Sequence, residues 1–140
     1  MPVQLIIVTP EGVRFDGPVE GVVVPGTEGD FGVLPGHERF LSPVRIGELR
    51  IEQPGAAPIW AAVSDGFAEV TGDKAVLMVD TCEFAADIDT ARAERARNRA
   101  EHEIELMRAR AQEDRNYKLE EAALHRALIR LQVAAKQRSI

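Results

Sequence analysis

Apolar residues recur in two different rhythms along the 140-residue chain, and the rhythm changes a little past its middle. As far as Val79 they come in short runs rich in β-branched residues: Val3 to Val8, Val19 to Val24, Phe31 to Leu34, Glu48 to Ile51, Ile59 to Val63, Phe67 to Val70 and Ala75 to Val79. Between the runs lie Asp16-Gly17-Pro18, Pro25-Gly26, Pro54-Gly55, Asp65-Gly66 and Gly72-Asp73, in which glycine supplies positive φ and proline fixes φ for a turn. Strands recurring at about 8 to 12 residues predict a sandwich or barrel, and no helix-length pattern interrupts them, which argues against a parallel α/β sheet. The expectation for residues 1–84 is an antiparallel β-sandwich.

All 11 glycines and 8 prolines lie at or before Gly72, so the remainder contains neither of the common helix breakers. Asp89 is placed as an N-cap whose carboxylate accepts from backbone N–H groups, with Ile88 before it as a hydrophobic staple. Ala93, Ala96, Ala100, Ile104, Met107 and Ala111 then fall at steps of three or four and mark one narrow buried stripe. A second stripe runs through Tyr117, Leu124, Leu128, Leu131 and Ala135. The polar run Gln112-Glu113-Asp114-Arg115-Asn116 separates them, which predicts a two-helix antiparallel hairpin over residues 85–140. Most of the first stripe is alanine, worth roughly 0.8 kcal/mol of burial per site, so the pairing is weak. The connecting run has no Gly or Pro and can straighten into helix at about the cost of ordinary propensities. The same periodicity equally permits a static arm.

At 45% apolar the chain can bury a core, and no apolar run reaches the ~18 residues of a membrane span. Met1-Pro2-Val3-Gln4 lacks the basic region of a signal peptide, so the expectation is a chain that stays in the cytosol or on its membrane face. Cys82 is alone, and its apolar neighbours favour a buried, inert thiol. Net charge is −6, which argues against a nucleic-acid binder, but the distribution is uneven. Residues 1–84 hold 13 acids and 5 bases, whereas residues 85–140 hold 10 acids and 12 bases. From Ala122 onward there are Arg126, Arg130, Lys136 and Arg138 and no acid, which suggests an acidic partner surface.

Catalytic chemistry is not legible. Gly26-Thr27-Glu28-Gly29-Asp30-Phe31-Gly32 lacks a following Gly-Lys-Ser/Thr and carries two carboxylates that repel phosphate. His37 has no second histidine near it, no Gly-x-Ser-x-Gly elbow occurs, and no two carboxylates are visibly paired as acid and base; neither a metal site nor a catalytic residue is expected. In the helical half, Glu101, Glu103 and Glu105 can pair with Arg97, Arg99 and Arg108. Arg92, Arg95 and Arg99 make a partly uncompensated basic strip, open to an anion, to an acidic partner or simply to water.

Glu28-Gly29-Asp30-Phe31-Gly32-Val33-Leu34-Pro35-Gly36-His37, followed by Leu41-Ser42 and Gly47-Glu48-Leu49-Arg50-Ile51, closely resembles the signature of the ε-subunit family of F-type ATP synthases. Asp65-Gly66-Phe67-Ala68-Glu69-Val70 and Asp80-Thr81-Cys82-Glu83 resemble the same family's later strands, and the likeness covers essentially the whole chain. It implies a non-catalytic rotor subunit of the central stalk, on the cytoplasmic face of a bacterial cell membrane without inserting into it. Its sandwich would pack on the γ subunit and the c-ring, coupling proton transport to ATP synthesis. Its mobile helices would regulate hydrolysis by the α/β head.

The resemblance also implies site residues. Glu28, Asp30 and His37 fall in the region facing the c-ring and γ, and Arg126, Arg130, Lys136 and Arg138 in the segment that inhibits through the β subunit. Ile88 to Ala93 matches a motif associated with nucleotide binding in some bacterial members, which nominates Glu83, Asp89, Arg92, Ala93, Arg99 and Arg126, with ATP as a regulatory ligand and no required cofactor. Ala122 stands where a nucleotide-binding relative has arginine, implying one contact fewer. Read without the resemblance, the residues also permit a free-standing nucleotide-sensing or helical adaptor module.

Overall fold

The computed structural model of the chain describes residues 2–109 and 115–138. Ten strands come first: β1 (Val3–Thr9), β2 (Gly12–Val19), β3 (Gly21–Gly26), β4 (Gly29–Val33), β5 (His37–Val44), β6 (Gly47–Glu52), β7 (Ile59–Val63), β8 (Gly66–Gly72), β9 (Lys74–Val79) and β10 (Cys82–Phe84). A 3₁₀ turn at Ala85–Asp87 leads to α1 (Thr90–Ala109) and α2 (Arg115–Arg138). The strands run in the order β10-β7-β6-β3-β5-β8-β9-β1-β2, with β4 beside β3. Only the pair Gly26–Val44 joins β3 to β5, and there the sheet folds over into two layers. Alternate residues from both layers fill one core, including Leu5, Ile7, Val22, Val24, Leu49, Ile51, Val70 and Leu77.

Strands β2, β5 and β10 were absent from the expected runs. Asp16-Gly17-Pro18, expected as a turn, lies inside β2, an edge strand in which a missing proline N–H leaves no ladder partner unsatisfied. β4 answers the expected run Phe31 to Leu34, beginning two residues earlier. β5 escaped notice because exposed Glu38 and Arg39 and a bulge between His37 and Phe40 break its alternation. The sandwich is not purely antiparallel, since β1 pairs with β9 in parallel.

The Asp89 carboxylate accepts from the backbone N–H of Arg92 at 3.0 Å, as an N-cap should. Ala93, Ala100 and Ile104 are the buried face of α1. The expected stripe on α2 is corrected: Ala127, Ile129, Val133 and Ala134 are buried, while Leu128 and Ala135 are exposed. The reason is that α2 has two neighbours. Its Leu124 side meets α1, and Ile129, Val133 and Ala134 join Ile46, Ala62, Ala85 and Ile88 in a second cluster against the sandwich. Arg108 Nε and Nη2 donate to the Tyr117 hydroxyl at 3.3 and 3.2 Å, so the helices run antiparallel. Of the expected turn, residues 112–114 lie outside the described residues, as does Ala111; Arg115 and Asn116 are helical.

Candidate docking and regulatory surfaces

One outer face of the sandwich is apolar where a solvated sheet would alternate. Across β5, β8, β9, β1 and β2 the register aligns Pro43, Phe67, Met78, Val8 and Val13 in a single row. Phe67, Met78 and Val13 are exposed, and an open groove of about 870 Å³ runs along the row between Pro10, Pro43 and Thr27. A parallel row holds Leu41, Glu69, Val76 and Ile6, with Leu41 also exposed. Gly66 allows this face to form: a Cβ there would sit 1.9 Å from the Met78 carbonyl oxygen. Sequence reading did not single out Phe67 or Met78. Their signal was available in β8, where Phe67 shares a face with Glu69 while Ala68 and Val70 turn into the core.

The glycine-rich turn region adjoins this row and extends away from it. Glu28 lies exposed between β3 and β4. Asp30 forms an ion pair with Arg45, whose Nε also donates to the Gly26 carbonyl at 3.1 Å, so a cation is fixed beside the groove. His37 stands past the other end of β4, with its ring 5.0 Å from that of Phe40 and its Nδ1 2.8 Å from the Glu38 carbonyl oxygen. Glu28 and Asp30 are thus separated from His37 by the length of β4, and the three form a strip instead of a single point. Exposed Leu34 lies on that strip, lining a second groove with Pro18, Pro35 and Pro54.

On the other layer, α2 covers the outer face of β6 and β7. Glu83 sits at the junction of three elements: Arg92 Nη2 of α1 lies 2.8 Å from its Oε2, and Arg130 Nε of α2 lies 2.9 Å from its Oε1. Two guanidinium groups thus share one carboxylate, each contact charge-assisted. Lys136 Nζ donates to Glu48 Oε2 at 2.7 Å and lies 3.7 Å from the Trp60 ring centroid. Three of the residues nominated for nucleotide contact are therefore engaged within the chain: Glu83 and Arg92 with each other, and Asp89 as the cap. Ala93 is buried. Arg99 and Arg126 make no ion pair with a described residue, and the crevice between Arg126, Ser64 and Thr81 measures about 10 Å³, no more than one water occupies. Ala122 packs against the second cluster. The Arg138 side chain lies outside the described residues. Beside Glu83, burial pushes the Cys82 thiol up to about 11, with Arg14 opposing and Glu83 adding to the shift, so the thiol is protonated and unreactive.

Two family profiles cover the chain. That of the ATP synthase, Delta/Epsilon chain, beta-sandwich domain matches residues 2–85, and that of the long alpha-helix domain of the same chain matches residues 86–135. Similar curated proteins include the ATP synthase epsilon chains of Trichlorobacter lovleyi, 44% identical over 95% of this chain and 94% of the relative, and of Syntrophobacter fumaroxidans, 41% identical over 96% of each. A chain in the Euglena gracilis mitochondrial ATP synthase shares the fold with a TM-score of 0.68 at 20% identity, over 99% of this chain and 80% of that one.

Proposed function

This chain belongs to the delta/epsilon family of ATP synthase subunits, and from that premise we propose that it is a non-catalytic rotor subunit whose uncovered apolar face packs on the γ subunit. The row Pro43-Phe67-Met78-Val8-Val13 carries this reading. Contiguous apolar surface on a soluble domain marks an interface, and the other outer face of the sandwich is already occupied by α2. The strip from Glu28 through Asp30 to His37 leads from that face toward the end of the sandwich that would meet the c-ring. Coupling then needs no reacting group in this chain, only a stiff body clamped between two partners on the cytoplasmic side of the membrane.

The helices are the regulatory part. Their mutual contact is lined by alanines, and the cations Arg126, Arg130 and Lys136 lie on the element that would leave the sandwich and engage acidic surface of the catalytic head. Nucleotide, where it binds, would draw on Arg99 and Arg126 and would have to take Arg92 from Glu83. Deleting the chain after Asn116 is expected to raise ATP hydrolysis by the assembled enzyme and to leave γ bound. Equal hydrolysis by truncated and full-length enzymes across ATP concentrations would remove the inhibitory role; loss of γ from the truncated chain would move the γ contact onto α2.

A further inference from the structure

The contact between α2 and the sandwich is matched in pitch as well as in charge. Glu83, Ala62 and Glu48 occupy one row across β10, β7 and β6. The two carboxylates are therefore two strand spacings apart, roughly 9.6 Å. Above them Arg130 and Lys136 are separated by six helical residues, a rise of roughly 9 Å. Fully buried Val133 stands midway between them on the helix, so at about 100° per residue the two cations emerge to either side of the ridge that packs against the sheet. Each meets one carboxylate, Arg130 with Glu83 at 2.9 Å and Lys136 with Glu48 at 2.7 Å.

These pairs are better placed than ordinary surface bridges, whose contribution is small. Arg130 and Glu83 expose only 17% and 21% of their side chains, and Trp60 lies under the Lys136 ammonium. Arg92 reaches Glu83 from α1, so both helices are tied to the same sandwich carboxylate.

We infer that Glu48 and Glu83 form an internal acceptor that masks Arg130 and Lys136, so that α2 offers these cations to an acidic partner only after both pairs have separated. The inference rests on the reading of α2 as the inhibitory arm. It adds that the sandwich itself competes with the catalytic head for the same two charges. The balance between folded and released helices is then set within the chain by these two carboxylates.

Hydrogen exchange and ATP hydrolysis test the two ideas separately. In the full chain, Glu48→Gln with Glu83→Gln is expected to speed exchange of the α2 amides roughly ten- to a hundredfold, the loss of two α2 pairs each weakened by partial exposure, with the Arg92 contact of α1 lost alongside them and the β1–β9 pairing amides unchanged. The reciprocal pair Arg130→Gln with Lys136→Gln, made on the helix, should give the same acceleration and decides the matter should the first pair disturb the sandwich. In the assembled enzyme the two double variants should diverge: the one that neutralises the sandwich carboxylates deepens inhibition because it releases intact cations, and the one that neutralises the helix cations relieves it. Unchanged α2 exchange in the helix variant overturns the masking. Accelerated exchange with hydrolysis unchanged in both double variants upholds the masking and overturns the inhibitory reading on which it was placed.

Discussion

Replacing Phe67 and Met78 with alanine tests the apolar face directly, because these side chains are outside the core yet central to the proposed γ contact. They expose 51% and 46% of their surface. A large side chain of this kind presents about 200 Å² in full, so each leaves about 100 Å² to be covered by a partner. At about 25 cal/mol per Å² that burial is worth about 2.5 kcal/mol per residue, and alanine retains about a third of it. The double substitution therefore removes about 3 kcal/mol of association energy, on the order of a hundredfold in Kd. Titration calorimetry of the full chain against purified γ reads this number. The thermal unfolding temperature of the free chain should fall as well, because about half of each side chain already rests on the chain's own surface, and the titration is therefore run well below that transition. A Kd within threefold of the original would refute the reasoning and move the interface to another face.

Three further outcomes follow from the structure. Gly66→Ala should destabilise the chain by about 1 to 3 kcal/mol in denaturant unfolding, because its Cβ meets backbone at Met78 and not a side chain that can rotate away. The Cys82 thiol ionises near 9.0 when unfolded and near about 11 when folded, so its neutral form stabilises the fold below that window. Relative to Cys82→Ala the native chain should lose about 2 to 3 kcal/mol between those pH values, and a difference independent of pH would contradict the burial argument. Calorimetric titration with Mg-ATP should show Ala122→Arg binding about ten- to a hundredfold more tightly than the native chain, through one added charge-assisted contact; no gain would place any nucleotide site elsewhere.

The architecture was legible because its two halves obey different periods and different breakers. Strands with clean alternation, such as Val3 to Val8 and Ala75 to Val79, were found within a residue or so of their bounds. Strand β2 was missed because Gly17 and Pro18 read as a turn until an edge position makes them harmless. On α2 the heptad-like leucines suggested one seam, but a helix packed on two neighbours buries a wider and rotated arc, ending on Val133 and Ala134. Arg92 was recognised as a charge seeking an anion, but its partner was not. Glu83 lies on a strand nine residues away, and Arg130 reaches it from 47 residues away; no local pattern encodes such a meeting. Phe67 carried a signal within β8, but the row as a whole did not, since it is assembled from five strands by register alone.

The parallel pairing of β1 with β9 has a consequence for synthesis of the chain. As the chain emerges, β2 can close one edge of β1 almost at once, but the other edge must wait for β9, roughly 70 residues later at the pace of the ribosome. During that interval one edge of β1 has no partner, and an unpaired strand edge is a template for the wrong neighbour. Pairing this remote places the sandwich among folds that form in milliseconds to seconds, whereas the hairpin helices that follow rely on local contacts and form faster. The slowest part to complete is thus the stiff body, and the movable arm arrives when its docking surface has just been finished.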